Sequence, residues 1–377
     1  MIPFDFVLRT RAIFGAGTFR QLGETARSLG FTRTLLVADA GVRDAGYVAR
    51  AITQLEAAGV TAVPFHDFGE NPDSAMVETG RAFAAPLGID SLIGLGGGSS
   101  LDCAKGINFL LTNGGTMADY RGYAKVRSPL LPMIGVPTTA GTGSEAQSYA
   151  VISDAATHMK MACGDPSAAV KVAILDPELT LTAPRGVTAT SGFDAIAHAI
   201  ETAVTKRRTP VSDMFSHQAW TLLNEAFPVV MEHPDNLEAR AAMLAGSHFA
   251  GIAIEQSMLG AAHACANPLT ARFGLPHGIA LAALLPHVVR WNASVAADLY
   301  APLVDAWVVR GKVAGRLAER LEALIVASGL TGTLRDRGVD EASLPELAGL
   351  AAQQWTGGFN PRPFDAAGAL EIYRAAY

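Results

Sequence analysis

Two different hydrophobic patterns divide the chain near residue 183. In the first part, short runs of β-branched and apolar residues alternate with alanine-rich stretches, as in the βαβ units of a mostly parallel sheet. From about Thr188 onward, long stretches with apolar residues at helical spacing replace them. We therefore predict an α/β domain with a mostly parallel sheet over residues 1–183, an all-helical domain over residues 184–377, and a cleft between the two domains.

Five short apolar runs are candidate strands of the predicted sheet, at residues 34–38, 61–66, 91–95, 133–136 and 172–175. In the second half, prolines are expected to interrupt the helices, because a proline removes a backbone donor from the helix interior. These residues are Pro210, Pro234, Pro268 and Pro286.

Composition narrows the class of protein. Half of the 377 residues are hydrophobic and only 17% are charged, so the chain is a folded globular protein rather than a disordered one. A formal net charge of −6, without a basic patch interleaved with aromatic residues, argues against nucleic acid as a partner.

Location is predicted from three further features. The N-terminal segment lacks the basic and apolar regions of a secretory signal, and no membrane span is expected, because the apolar stretch 279–285 stops at Pro286. The cysteines, an odd number without CxxC spacing, are Cys103, Cys163 and Cys265. Together these features favour a reducing cytoplasm.

A strand, glycine turn and helix pattern is the main ligand-binding signal. Three glycines, Gly96 to Gly98, follow the apolar run 92–95 and precede a helical pattern over 101–109. Glycines let a backbone approach a ligand closely, and amides at a helix start favour a diphosphate. The alternative is a capping box at Ser99-Ser100-Leu101-Asp102, which needs no ligand, although three glycines exceed what a cap requires.

A second glycine-rich turn, residues 137–145, also follows an apolar run, so two turns are expected to converge on one ligand. Asp39, after the first candidate strand, is placed to accept hydrogen bonds from a ribose diol, which would favour NAD over a 2′-phosphorylated cofactor. A plain turn residue is an equally open interpretation of Asp39. The usual G-x-G-x-x-G motif with an acidic residue about 20 positions later is absent, so these motifs do not by themselves predict an ordinary Rossmann fold.

Asp194 and His198 are the first of four candidate metal ligands. Their spacing of four residues places both side chains on one face of a helix. The apolar stripe of Ile196, Ile200 and Val204 lies on another face, which argues against His198 as a core histidine. Chance spacing and locally hydrogen-bonded histidines remain the alternative.

His263 and His277 are the other two candidates, with Pro268 and Gly274 between them giving the chain room to turn. One carboxylate and three imidazoles suit Fe²⁺ or Zn²⁺, whereas Ca²⁺ or Mg²⁺ would require more oxygen ligands.

These motifs together resemble the iron-containing alcohol dehydrogenase family over nearly the whole chain. The matching segments are 13–17, 96–102, 137–145, 176–177, 192–201, 263–269, 276–278 and 360–363. The resemblance implies a Rossmann-like α/β dinucleotide-binding domain, then an all-helical metal-binding domain that holds one divalent metal, in a homodimer. It places Asp194, His198, His263 and His277 on the family's metal ligands.

The resemblance also implies a set of cofactor-binding residues. It places Gly97, Gly98 and Ser99 at the diphosphate and Asp39 at the adenosine ribose. The further positions are Asn71, Asp102, Thr138, Thr139, Thr142, Lys160 and Leu179. A cation at Lys160 would offset charge on the cofactor, and a solvated surface lysine is the alternative.

One position departs from the family pattern. Asn267 stands where the family commonly has a second histidine, four residues after His263. Because an amide cannot shuttle a proton near neutral pH, a proton relay through this position is not expected. Asn267 instead either approaches the substrate side of the metal or opens an Asn-Pro turn.

The expected activity is reversible hydride transfer between a small primary alcohol or diol, or its aldehyde, and NAD, with NADP less favoured. The expected metal is Fe²⁺, with Zn²⁺ as the alternative. Related oxidoreductases remain alternatives: a glycerol dehydrogenase, a maleylacetate reductase or a hydroxyacid-oxoacid transhydrogenase. From another class, Asn267 leaves open a catalytically silent nucleotide- or metal-binding protein.

Overall fold

The computed structural model describes residues 3–304 and 309–377 of the chain. These residues form two compact units, one spanning Val7–Ala183 and the other spanning Pro184–Tyr377 together with the N-terminal residues through Phe6. Phe6 packs in the second unit against Phe215, with ring centroids 6.3 Å apart. The chain therefore enters the helical unit first and then forms the α/β unit.

The α/β unit contains two sheets. Their strands in chain order are β1 (Arg11–Phe14), β2 (Arg33–Val37), β3 (Thr61–Phe65), β4 (Ser91–Gly96), β5 (Gly122–Tyr123), β6 (Met133–Pro137), β7 (Tyr149–Ser153), β8 (Lys160–Gly164) and β9 (Val172–Leu175). The larger sheet has the order β1-β9-β6-β4-β2-β3 and all of its strand pairs are parallel. The smaller sheet has the order β5-β8-β7.

The helices of this unit are α1 (Leu22–Ser28), α2 (Ala40–Asp44), α3 (Tyr47–Ala57), α4 (Ser74–Ala84) and α5 (Gly98–Asn113). One core cluster joins the larger sheet, through Leu36, Ile93 and Ile174, to Leu22 of α1 and Leu55 of α3. Because the strands are parallel and are connected through helices, their carboxyl ends all lie at the same edge of the sheet.

All five predicted strands are present, and their ends differ by at most one residue from the prediction. Every residue of β4, β6 and β9 is buried, which explains the continuous apolar runs in the sequence. The prediction did not include β1, an edge strand whose residues are mostly exposed, or the smaller sheet.

The second unit is helical, as predicted. Its α-helices among the described residues are α6 (Arg185–Thr202), α7 (Pro210–Glu232), α8 (Leu237–Gln256), α9 (Ala261–Phe273), α10 (His277–Tyr300), α11 (Val313–Ser328), α12 (Leu344–Ala352) and α13 (Ala366–Ala376).

Two of the four predicted helix breaks are wrong. Pro210 begins α7 and Pro234 follows its end, but Pro268 and Pro286 lie inside α9 and α10. A proline costs a helix one hydrogen bond, and here the surrounding residues are packed in the core: Leu269 and Leu285 are fully buried. Tertiary packing thus overrides the local signal.

The sequence predicted that the apolar stretch 279–285 stops at Pro286, but α10 continues through that residue. Residues His277–Leu303 have a mean hydropathy of 1.3 over their most apolar window, enough by length and composition to cross a membrane, and 56% of that window is buried within this structure. A core helix of a folded protein meets the same criteria, so this stretch gives no argument for a membrane.

Candidate metal centre and nucleotide-binding turns

Four side chains of the helical unit converge on one point. Asp194 and His198 lie on α6, His263 lies in the first turn of α9, and His277 begins α10. The Asp194 Oδ1 atom is 3.2 Å from Nε2 of His198, 3.5 Å from Nε2 of His263 and 3.8 Å from Nε2 of His277. The three predicted imidazoles therefore direct a nitrogen at a single carboxylate oxygen.

Two of these atoms lack the partners that buried polar atoms normally have. Asp194 Oδ1 and His263 Nε2 are buried, and neither makes a hydrogen bond within the described structure. An unsatisfied buried polar atom is costly, so it requires an explanation such as an ion. One carboxylate and three imidazole nitrogens fit a borderline divalent ion such as Fe²⁺ or Zn²⁺.

Small residues allow the helices to approach closely enough to form this cluster. A Cβ on Gly278, the residue after His277, would lie 2.1 Å from the carbonyl oxygen of Thr190 on α6. A Cβ on Gly192 would lie 2.6 Å from the ring of Phe227 on α7. Only glycine at these positions lets α10 and α7 pack this closely against α6.

The argument from the apolar stripe of α6 is wrong. Asp194 is only 7% exposed and His198 only 5% exposed, although Ile196 and Ile200 on the other face are buried as well. From Gly192 to Thr202 every residue of α6 is buried. The His198 ring stacks on His263 with centroids 4.9 Å apart, so periodicity on this helix did not separate a core face from a solvent face.

Charge at the centre favours a cation. Burial would raise the pKa of Asp194, but His198 and the other two imidazoles hold that pKa below its usual range. Burial would lower the pKa of His263, but the carboxylates of Glu201 and Asp194 raise it to about 9. Both shifts arise because anionic groups and imidazoles are held together away from water.

Glu201 is a residue of this centre that sequence reasoning missed. One of its oxygens, Oε2, accepts a hydrogen bond from Nδ1 of His263, and the other, Oε1, accepts from the backbone N–H of Ala262 at 2.7 Å. Glu201 follows Asp194 by seven residues and His198 by three, so all three share one helix face. That spacing was the available signal.

Asn267 lies inside α9 and is buried. Its Nδ2 donates a hydrogen bond to Oε1 of Gln354 at 3.1 Å. The alternative that Asn267 opens an Asn-Pro turn is therefore wrong, because the helix continues through Pro268 to Phe273. Gln354 carried no signal in the sequence, since its contact with Asn267 depends on the fold.

In the α/β unit, three predicted cofactor residues follow neighbouring strands of the larger sheet. Asp39 follows β2, Gly97 follows β4 and Thr138 follows β6, and these strands are adjacent in the order β6-β4-β2. The Thr138 N–H donates to the Gly96 carbonyl at 3.0 Å. Ligands of parallel α/β sheets bind at this carboxyl edge.

The two glycine-containing turns pack directly against each other. A Cβ on Gly97 would lie 3.2 Å from Oγ1 of Thr139, and a Cβ on Gly98 would lie 2.4 Å from Cγ2 of Thr142. The structure thus brings the first and second turns together, as the sequence predicted, and requires the absence of side chains where they meet.

The capping-box alternative for the first turn is wrong. Helix α5 begins at Gly98 with Gly97 as its N-cap, which supplies no side-chain hydrogen bond. Ser99 Oγ instead accepts from the backbone N–H of Asn71 at 3.1 Å, and Asp102 Oδ1 accepts from Ser144 Oγ at 2.7 Å. Burial raises the pKa of Asp102, and the nearby Lys105 and Lys160 oppose that rise.

Lys105 is a second residue that sequence reasoning missed. It is buried on α5, and its Nζ donates to the backbone carbonyls of Ser144, Gln147 and Tyr149 at 2.6, 2.8 and 2.9 Å. These bonds hold the segment that follows the second turn. The signal was a lysine inside an otherwise apolar helical pattern.

Asp39 has the turn role that was one of its two interpretations. It is the N-cap of α2, where Oδ1 accepts from the Val42 N–H at 3.0 Å. Oδ2 accepts from Ser100 Oγ at 2.9 Å, and a Cβ on Gly96 would lie 3.0 Å from it. The carboxylate therefore also lies beside the glycine turn, and its ribose role stays a prediction.

The remaining predicted cofactor residues differ in exposure. Asn71 is exposed and has a left-handed backbone with φ of 49°, while Lys160 on β8 is partly exposed. The side chain of Leu179 is fully buried in the core of the α/β unit. Leu179 therefore presents no accessible surface to a ligand in this structure, and its cofactor role stays a prediction.

Comparison with known proteins identifies the family. A family model described as iron-containing alcohol dehydrogenase matches residues 9–177, and one described as the C-terminal part of the Fe-containing alcohol dehydrogenase family matches residues 188–377. This chain belongs to the iron-containing alcohol dehydrogenase family. The resemblance inferred from the motifs is thus confirmed, and so is the predicted order of an α/β region and a helical region.

Individual family members are similar along their whole length. The chain is 33% identical to the NAD-dependent methanol dehydrogenase of Bacillus methanolicus, with 95% of this chain and 96% of that protein covered. It is 33% identical to the 1,3-propanediol dehydrogenase of Citrobacter freundii, with 99% of each covered. The structure of an alcohol dehydrogenase from Oenococcus oeni matches with a TM-score of 0.96, 29% identity and full coverage of both chains.

Membership in the family makes this chain an alcohol dehydrogenase, an oxidoreductase that acts on alcohols or diols. The choice of metal, the choice between NAD and NADP, and the roles of single residues remain predictions.

Proposed function

We propose that this chain catalyses reversible hydride transfer between a short primary alcohol or diol and NAD, with a divalent metal held by Asp194, His198, His263 and His277. The observation that carries the proposal is the convergence of three imidazole nitrogens on Asp194 Oδ1, within 3.2–3.8 Å. Two of the buried atoms at that point lack hydrogen-bond partners, so the residues fit the metal. We favour Fe²⁺ from the family description, with Zn²⁺ as the alternative.

When bound, such a metal polarises an alcohol or carbonyl oxygen, and the nicotinamide supplies the hydride chemistry. The residues of the chain bind the metal, the cofactor and the substrate and orient them. The three imidazoles and Asp194 form a buried, largely water-excluded pocket of fixed donors, which strengthens electrostatic interactions inside it. Asn267 has an amide that does not titrate near neutral pH, so it does not act as a proton shuttle.

The glycine turns would hold the cofactor. The start of α5 would bind a diphosphate, since residues 97–99 are only partly buried, the N-cap Gly97 supplies no capping side chain, and the helix dipole favours an anion there. The carboxylate of Asp39 beside the same turn would repel a 2′-phosphate and accept a ribose hydroxyl. The relative from Bacillus methanolicus, described as NAD-dependent, supports NAD over NADP.

The substrate range and assembly follow from weaker support. The relatives described as methanol and 1,3-propanediol dehydrogenases favour short alcohols and diols as substrates. Strand β1 is an edge of the larger sheet, and Val7 and Leu8 before it and Phe14 at its end have exposed side chains. An unpaired apolar edge favours association, which supports a homodimer. A cytoplasmic location is supported by three buried free cysteines.

The experiment is metal analysis of anaerobically purified protein, joined to an NAD-reduction screen over short alcohols, diols and hydroxyacids. We expect about one divalent ion per chain and turnover with primary alcohols or diols. Lack of turnover by Fe²⁺- and Zn²⁺-loaded protein with every compound would overturn the proposal. Exchange between two substrates without added NAD would instead identify a transhydrogenase.

A further inference from the structure

Helix α9, which carries His263, begins without a cap of its own. The N-cap residue is Gly260, which supplies no side-chain hydrogen bond. The first amides of a helix have no partner within the helix and need acceptors from elsewhere. The acceptors here come from two distant parts of the helical unit: Asn360 Oδ1 accepts from the Ala261 N–H at 3.2 Å, and Glu201 Oε1 accepts from the Ala262 N–H at 2.7 Å.

These two side chains occupy the space that a capping side chain would fill. A Cβ on Gly260 would lie 2.9 Å from Asn360 Oδ1 and 3.0 Å from Glu201 Oε1. Position 260 therefore has no room for a side chain while both acceptors are in place. The start of α9 is defined by Glu201 and Asn360 rather than by its own sequence.

Glu201 also determines which nitrogen of His263 carries the proton. Its Oε2 is hydrogen-bonded to Nδ1 of His263, and a carboxylate only accepts, so Nδ1 must donate. The lone pair of a neutral His263 is then on Nε2, the atom that lies 3.5 Å from Asp194 Oδ1. A carboxylate behind a ligating histidine commonly fixes ring orientation and tautomer in metal sites.

Asn360 is itself held in one orientation. Its Nδ2 donates to Asn292 Oδ1 and to the Arg362 carbonyl, both at 2.8 Å, and its Oδ1 accepts from Asn292 Nδ2 at 3.2 Å. Asn292 and Asn360 are each 1% exposed. Because the amide nitrogen is committed on one side, the oxygen is fixed toward the start of α9.

We propose that Glu201 and Asn360 form a positioning pair that sets the His263 imidazole for metal binding, Glu201 through the tautomer and Asn360 through the helix start. The inference rests on the metal centre of the proposed function. Both residues act through His263, so they are positioning residues and not catalytic ones.

A substitution separates this role from ordinary helix capping. In Glu201→Gln the side chain keeps an oxygen for the Ala262 N–H, so the cap is preserved. Its NH₂ group then faces Nδ1 of His263, which must become an acceptor, and the ring proton moves to Nε2, where it opposes metal binding. A purely structural cap predicts little change in Glu201→Gln.

The test is Zn²⁺ titration of the metal-stripped full chain against a chromophoric chelator, together with the visible absorption spectrum of the Co²⁺-loaded protein. We expect Glu201→Gln to bind Zn²⁺ about 10- to 100-fold more weakly, with an altered Co²⁺ spectrum. We expect Asn360→Ala to weaken Zn²⁺ binding by a smaller factor, because it loosens the helix start but leaves the Glu201 contact with His263.

The matched control is Asn236→Ala, which removes the N-cap of α8, where Asn236 Oδ1 accepts from the Ala239 N–H at 3.0 Å. It should lower the melting temperature without changing Zn²⁺ affinity. Wild-type Zn²⁺ affinity in Glu201→Gln would overturn the positioning role. If Glu201→Gln does not fold, equal Zn²⁺ affinities in Asn360→Ala and Asn236→Ala would overturn the positioning role. A wild-type protein that binds neither Zn²⁺ nor Co²⁺ would instead contradict the metal centre of the proposed function.

Discussion

The glycine turns of the α/β unit and the metal centre of the helical unit depend on different structural features. At the turns, Gly97 and Gly98 lack side chains, which leaves the space beside them to Thr139 and Thr142 of the second turn, and the start of α5 is only partly buried. At the metal centre, side chains from α6, α9 and α10 fill the same kind of space with donor atoms. One site depends on atoms that are absent, the other on atoms that are present.

This difference predicts how each site fails. Adding a single methyl group should damage the turns, because the backbone of the first turn already packs against the Thr139 and Thr142 side chains of the second. Removing one ligand should damage the metal centre, because only three of its four donors then remain to hold the ion.

The largest effect is expected for His277→Ala. It removes one of four donors, so stoichiometric metal should be lost and kcat/KM should fall about 10³-fold or more, since metal polarisation supplies several kcal/mol to such reactions. Metal analysis and steady-state kinetics measure both. The control is His233→Ala, at the exposed end of α7; retention of metal and turnover in His277→Ala would show that the ligand assignment is wrong.

The matching change at the turns is Gly98→Ala. Its Cβ would lie 2.4 Å from Thr142 Cγ2, and strain of this kind costs about 1–3 kcal/mol unless the neighbour moves. Movement of the second turn should raise the KM for NAD by about tenfold or more, while Zn²⁺ affinity stays unchanged.

The control for the added methyl group is Gly315→Ala on α11, where a Cβ would meet nothing within 4 Å. It should leave the KM for NAD unchanged. If Gly98→Ala has the same KM for NAD as the wild-type protein, the contact between the two turns does not shape the cofactor site.

The same contrast explains what the sequence could predict. Each glycine turn is contiguous in sequence, and the strands that precede them, β4 and β6, are fully buried, so the local pattern was sufficient to predict the turns and the strands. The spacing of Asp194 and His198 was also local. Their convergence with His263 and His277 depends on close helix packing at Gly278 and Gly192, which one sequence does not display.

The errors came from local patterns that tertiary contacts overrode. Ser99 and Asp102 form a capping box in sequence, yet they bond to Asn71 and Ser144, which the fold brings to them. The periodicity of α6 suggested a solvent face, but neighbouring helices bury it entirely from Gly192 onward. Pro268 and Pro286 marked breaks that packing does not permit.

A smaller effect is expected for Asp39→Asn. This substitution removes the negative charge beside the glycine turn and keeps the shape of the side chain. Asparagine caps helices as well as aspartate does, so the bond to the Val42 N–H and the melting temperature should persist. Loss of the negative charge should raise kcat/KM with NADP relative to NAD about tenfold, equivalent to about 1.4 kcal/mol. A wild type that already prefers NADP would contradict the assignment of Asp39.

The smallest effect is expected for Asn267→His, which adds a titrating group to the unit whose site is built from side chains. The position is buried inside α9 and its amide donates to Gln354 Oε1 at 3.1 Å; an imidazole N–H can donate in its place, although its extra volume should cost about 1–3 kcal/mol of stability. Because burial disfavours the charged form, the new imidazole should titrate at or below about pH 6.5, the value for an unperturbed histidine. The pH profile of kcat/KM should therefore gain an acid limb in that range, with kcat/KM above it changed only a few-fold. Overlaid profiles of the two proteins measure this, and identical shapes with a lowered melting temperature would show that position 267 supports the helix without facing the reaction.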